Sequence, residues 1–169
     1  MGQRTRAPDP VNLYFLRHGP AFDQAEWSGT DFDRPLTKEG RRRMAREAEA
    51  FVRLALKLDV IVTSPLVRAR ETAEIVAVAL KQTGALVVDD RVGLDFDVSR
   101  LAAILGDHRA TNAVMLVGHE PGMSETIGRV VGAARVEMKK GGLAYVELPT
   151  PPSLVGTLVW LLAPKVLLL

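Results

Sequence analysis

The chain has 169 residues, of which 47% are hydrophobic and 25% charged, with a formal net charge of +2. That balance excludes a disordered or fibrous protein and gives no reason to expect a nucleic-acid partner. Cysteine is absent, which excludes disulfides, thiolate metal sites and a cysteine nucleophile.

Residues 1–10 are polar and proline-containing with no apolar core, so they read as a flexible segment and not a secretory signal. Residues 11–169 are expected to form a single domain. Val11 to Leu16 is a short apolar run ending in polar residues and Gly19, the pattern of a buried strand. Residues 20–36 are polar, carry Pro20, Gly29 and Pro35, and read as a loop. Thr37 can cap a helix whose inward face is Met44, Ala48, Phe51, Val52 and Ala55. Leu58 to Val62 is a second strand. Ser64-Pro65 opens a second helix facing inward through Ala69, Ala73, Val76 and Leu80, and ending near Gly84.

Leu86 to Val88 is a brief strand. Ser99 is expected to cap a short helix carrying Leu101, Ile104 and Leu105, stopped by Gly106. Ala113 to Val117 is a further strand, and Pro121 starts a helix with Met123, Ile127, Val130 and Val131 inward. Leu143 to Leu148 and Leu154 to Leu162 are two final strands, and the apolar tail to Leu169 reads as their hydrophobic end. It is too short to span a bilayer. Strands alternating with helices predict an α/β fold, a three-layer α/β/α sandwich around a mostly parallel sheet. Ligands bind such sheets at the carboxyl ends of the strands.

Three strand ends carry unusual polar residues. The first gives Arg17-His18-Gly19, the second leads through Ser64-Pro65 to Arg68 and Arg70, and the strand at 113–117 gives Gly118-His119-Glu120-Pro121. Two of the three histidines therefore sit on the predicted functional edge. The combination suits phosphoryl transfer. Guanidinium groups match phosphate in bidentate fashion, and a neutral imidazole can attack phosphorus to form a phosphohistidine. Fixed positive groups stabilise the charge spread over the equatorial oxygens. Gly19 permits the turn that would let Arg17 and His18 reach one phosphate. Gly19 and Glu120 are also expected to take part in substrate binding.

These residues carry a family resemblance. LYFLRHG at 13–19, RPLTKEG at 34–40, TSPLVRARETAE at 63–74 and VGHEPG at 117–122 resemble the histidine phosphatase superfamily, with its phosphoglycerate-mutase-like fold. The compact length is similar to the SixA-type phosphohistidine phosphatase branch. The resemblance implies that His18 is the nucleophile, that Arg17, Arg68 and His119 hold the phosphate, and that Thr37 and Gly40 position the first helix. Arg70 reads as a helix-surface residue. Many members carry a glutamate acid after the third strand. Here that stretch is Asp90-Arg91-Val92-Gly93-Leu94-Asp95-Phe96-Asp97, in which Asp95 is the best substitute and Asp97 the next. Without a strong acid, a phosphoramidate is a better substrate than an alkyl monoester. A leaving imidazole takes a proton near its pKa of about 6.5, whereas an alkoxide must be protonated.

No metal or cofactor is expected, because His18 and His119 have no third ligand at a recognisable spacing. His108 falls in a polar loop. Arg41, Arg42, Arg43 and Arg46 lack interleaved aromatics and read as a charged helix surface, not an RNA site. The expected partner is a phosphorylated protein or a small phosphorylated substrate, met in the cytoplasm, with no nucleic acid or membrane. Two alternatives stand beside this reading: a phosphatase of small metabolites, and a non-catalytic module that binds phosphorylated ligands.

Overall fold

The computed structural model describes residues 10–149 and 153–169. The segment expected to be flexible over 1–10 lies, except for Pro10, outside the described residues. The strands are β1 (Val11–Arg17), β2 (Val60–Thr63), β3 (Leu86–Val88), β4 (Ala113–Gly118), β5 (Leu143–Leu148) and β6 (Thr157–Leu162). The helices are α1 (Lys38–Arg53), α2 (Val67–Ala79), α3 (Val98–Asp107), α4 (Gly122–Val130) and the single turn α5 (Pro164–Leu167). All six strands join one sheet in the order β3-β2-β4-β1-β5-β6. The first four run parallel, and β5 and β6 extend the sheet antiparallel beyond β1.

Both sheet faces are covered, so strand side chains are buried on alternate sides. Leu13, Phe15, Val62 and Leu116 pack with Leu101 and Ile104 of α3 and with Met123 and Ile127 of α4. Tyr14, Leu16, Ile61 and Met115 pack on the other side with Met44 and Phe51 of α1, Ala73 and Val76 of α2, and Leu167 of α5. The result is the expected α/β/α sandwich. Two-sided burial is what makes β1 and β4 read as unbroken apolar runs. Each fully buried Phe or Leu contributes about 2 kcal/mol.

Several local expectations need correction. Thr37 does cap α1, its hydroxyl accepting the Gly40 N–H at 2.8 Å. The inward face, however, ends at Phe51. Val52 is 49% exposed, being one 100° step away, and Ala55 lies past the helix end at φ 54°. Helix α2 starts at Val67 and not at Ser64-Pro65, because the Ser64 hydroxyl accepts the Leu66 N–H at 3.3 Å and Leu66 stays extended. Asp97, not Ser99, caps α3 by accepting the Arg100 N–H at 2.9 Å, and Gly106 lies within the helix. The last strand begins at Thr157 and stops at Leu162. Pro164 then opens α5, a fitting first helical residue, which drops Leu167 against α1 and the core. Among the described residues no helix is long and apolar enough to cross a membrane.

Candidate active site

Strand register sets the site. Arg17 of β1 lies opposite Gly118 of β4, and Thr63 of β2 opposite Val117, so three neighbouring strands end at one level. The next residues keep the pairing: the His18 N–H donates to the Gly118 carbonyl and the Ser64 N–H to that of Val117, each at 3.0 Å. The His18 and His119 rings are thereby held with centroids 5.2 Å apart. They open on a cavity of about 540 Å³ together with Arg17, Arg68 and Glu120. Asp31 and Arg34, from the 20–36 loop, form a further wall, and Lys140 lines it from the turn before β5.

The two imidazoles are only 6% and 2% exposed. His18 Nδ1 lies 2.7 Å from the Gly19 carbonyl. A carbonyl can only accept, so Nδ1 carries the proton and Nε2 keeps its lone pair. Burial pushes the His18 pKa from 6.5 down to about 3, against the pull of the Gly19 carbonyl and with help from His119, Arg68 and Arg17. Burial likewise lowers His119 to about 4, aided chiefly by Arg68. His119 Nε2 is paired with the Ser64 hydroxyl at 2.8 Å.

Each guanidinium is seated by other parts of the chain. Arg17 Nη1 donates to the Met138 carbonyl at 2.7 Å. Arg68 Nη1 and Nη2 donate to the carbonyl and carboxylate of Asp31 at 2.7 and 3.1 Å. Asp31 also accepts from Arg34 at 2.9 Å. Burial works to raise the Asp31 pKa, but its bonds and charges with Arg34 and Arg68 outweigh this, and the carboxyl stays below its ordinary range. Arg17 Nε, Arg68 Nε and His119 Nδ1 are buried with no hydrogen-bond partner among the described residues. A buried donor left unpaired costs about 1–3 kcal/mol, and two guanidinium N–H groups of this kind in one site suit an anion with several acceptor oxygens.

The structure thus brings Arg17, His18, Arg68, His119 and Glu120 to one cavity. It leaves Asp95 and Gly19 out, and also Asp97, which caps α3. Asp95, expected as an acid, has an 86% exposed side chain 3.8 Å from Arg100 and does not line the cavity, whereas its neighbour Leu94 does. Gly19, expected to bind substrate, gives its N–H to the Thr72 hydroxyl at 3.0 Å and its carbonyl to His18, so neither group is left for a ligand. Asp31, Arg34, Thr72, Met138 and Lys140 were not foreseen as site residues. Arg34 opens the RPLTKEG motif, and Thr72 lies one helical turn after Arg68 and bonds its carbonyl at 2.7 Å; the others carry no such signal. Arg70 is exposed, as expected. Among the described residues no three His, Cys, Asp or Glu side chains gather as a metal-ligand set.

The lowered histidine pKa values have a checkable sign. The unfolded chain binds protons at these positions below about pH 6.5, and the folded chain only near pH 4 and below. Stability therefore rises with pH across that window and is lost as the pH falls through it. In NMR titrations the His18 and His119 imidazoles are expected to stay neutral from pH 5 to 8. Midpoints near 6.5 would contradict the burial argument.

An anion-fitting cavity with two neutral imidazoles, at the carboxyl edge of a parallel sheet, belongs to a phosphatase. A family model, histidine phosphatase superfamily (branch 1), matches residues 13–93. An uncharacterised protein of Picosynechococcus sp. is 39% identical over 116 residues, 68% of this chain and 70% of that one. The fold is similar to that of the protein histidine phosphatase SixA solved with tungstate, with a TM-score of 0.82 and 23% identity over 92% of this chain and 98% of that one. It is also similar to a protein of Agrobacterium tumefaciens assigned as a phosphohistidine phosphatase SixA, with a TM-score of 0.76 and 25% identity over 92% and 99% of the two chains. The chain belongs to the histidine phosphatase superfamily.

Proposed function

We propose that the chain dephosphorylates phosphohistidine in proteins, through a covalent phosphoryl group on its own His18. The observation that carries this reading is His18 itself, buried and neutral with Nε2 unprotonated, in a cavity whose two arginines present unpaired donors beside His119. Nε2 of His18 attacks phosphorus while the bond from phosphorus to the substrate's imidazole nitrogen breaks. The leaving nitrogen takes up a proton. Arg17 receives the phosphoryl oxygens on its Nε–Nη2 edge, since Nη1 is engaged by Met138. Arg68 Nε adds a donor where negative charge grows, with the His119 ring beside it in the cavity. Water then attacks phosphorus, releases phosphate and restores His18. The scheme uses no metal and no cofactor.

The cavity's carboxyl groups favour an imidazole leaving group. Asp31 is tied to two arginines and is a poor proton donor. Glu120 accepts the Ser124 hydroxyl at 2.8 Å. Burial raises its pKa, with the Ser124 bond and Arg17 opposing. That same residue favours a second reading, a phosphatase of small phosphomonoesters, because Glu120 is the lining carboxyl best able to protonate an alkoxide.

Turnover of a phosphohistidine peptide and of alkyl phosphate monoesters, each with wild type and Glu120→Gln, separates the two. The first reading expects the peptide to be the better substrate and the variant to lose less than about threefold on it. A preference for the monoesters, with a loss of about a hundredfold in the variant, would establish the second. A third possibility, a module that binds without turnover, is excluded by hydrolysis of p-nitrophenyl phosphate.

A further inference from the structure

Helix α1 buries a carboxylate that the proposed chemistry does not use. Glu47 lies on the inward face at the spacing of Gly40, Met44 and Phe51, and is 0% exposed. Its Oε1 accepts from Arg43 Nε at 2.8 Å, and its Oε2 has no partner among the described residues. Arg43 does not stop at Glu47: its Nη2 donates to the Lys140 carbonyl at 2.9 Å. The following residue, Gly141, has φ 83°, and a Cβ there would collide with the Glu47 carboxylate.

The turn gripped in this way is the one that seats Arg17 and His18. The Gly141 N–H donates to the carbonyls of both, each at 3.1 Å, and the Arg17 N–H donates to the Gly142 carbonyl at 3.1 Å. Met138 receives Arg17 Nη1 and ties its own N–H to Ser124 at 3.2 Å. Lys140 itself lines the cavity. We propose that the Glu47–Arg43 pair is a positioning device for the active site, bracing the 138–142 turn so that Arg17 and His18 are held in working geometry. The inference rests on the reading of His18 and Arg17 given above.

The brace depends on charge. Ionised Glu47 keeps the half-buried Arg43 guanidinium turned inward, where it can reach the Lys140 carbonyl. Once Glu47 is protonated, Arg43 loses its counter-ion and is free to turn to solvent. Burial, opposed by the bond and charge of Arg43, pushes the Glu47 pKa up from 4.5 to about 7. Arg43 is the charged group that bears on it. From the elements packed on α1, Glu71 of α2 is paired with Arg41, Lys140 faces the cavity and Arg17 is bound to Met138.

A folded-state pKa above the unfolded one means that Glu47 stabilises below about pH 4.5, and that this contribution is lost as the pH rises towards 7. Glu47→Gln keeps the size and removes the charge. Its kcat/KM for p-nitrophenyl phosphate, divided by that of wild type to cancel the substrate's own ionisation, is expected near one at pH 6 and about three- to tenfold lower at pH 8. Its Tm at pH 8 should equal or exceed that of wild type, since a buried charge has gone. A purely structural role would move activity and Tm together. Arg43→Lys keeps a charge beside Glu47 but lacks the fork that spans both acceptors, and is expected to show the same loss at pH 8. A pH-independent ratio, activity falling only in step with Tm, or full activity in Arg43→Lys would each overturn the proposal. If instead His18→Asn kept its activity, the functional reading would have failed and not the brace.

Discussion

In a p-nitrophenyl phosphate assay the His18→Asn variant is expected to lose about four orders of magnitude or more in kcat, and wild type treated with EDTA to lose nothing. The size of the loss follows from what the imidazole does. With Nδ1 bound to Gly19 and burial holding the ring neutral at any pH above about 4, Nε2 keeps its lone pair throughout the physiological range, as the proposed nucleophilic role requires. The lining arginines are permanently charged and cannot replace it, and His119 has its Nε2 on Ser64. Asparagine fills much of the imidazole's volume, and Arg17, Arg68 and His119 remain, so inorganic phosphate should still bind and inhibit. Labelled phosphate should be trapped on wild type in a form stable to alkali and labile to acid, and not on the variant. Residual turnover above about one per cent, or labelling elsewhere, would defeat the mechanism.

Arg68→Ala is expected to lower kcat/KM by about a hundred- to a thousandfold, the usual cost of removing one preorganised donor from a developing oxyanion. The residue is 3% exposed and holds Asp31 by two bonds, so its loss has a second effect. Asp31, no longer countered on one side, leaves an anion at a site built for anions, held only by Arg34. Removing that carboxylate as well, in Arg68→Ala with Asp31→Asn, should recover part of the loss. Were Arg68 merely a surface charge on α2, neither the large defect nor the partial recovery would appear. Equal activity in the single and double variants would count against a cavity role for Asp31.

The residues that line the cavity were legible where chain direction does the work. Arg17, His18 and His119 follow strands whose apolar runs are unmistakable, and parallel neighbours must end at a common edge. Arg68 could be placed because it follows a third such strand by one turn. What could not be read was how these groups are seated. Met138 acts through its carbonyl, which every residue possesses, so nothing in its side chain marks it. Asp31 comes from a loop without periodicity, and Glu47 looks like one more acid on a charged helix until burial is known. Asp95 failed for the opposite reason. Its position after β3 suited an acid, but the chain turns Leu94 to the cavity and leaves Asp95 in solvent. Two helix starts differ from expectation in the same way: Asp97 caps α3 in place of Ser99, and α2 begins at Val67 and not at Ser64-Pro65. In each, a side chain accepting from a backbone N–H fixed the boundary.

The seat of Arg17 has a bearing on how the chain is made. The carbonyl that orients this guanidinium arrives 121 residues later, well past the matched family segment at 13–93 and past both histidines of the site. During synthesis, a nascent product ending just after α4 would already contain Arg17, His18, Arg68 and His119, yet Arg17 would lack the Met138 carbonyl. The role proposed for Arg17 therefore requires the turn that leads into β5, and a chain ending before that turn carries the motifs without this seat.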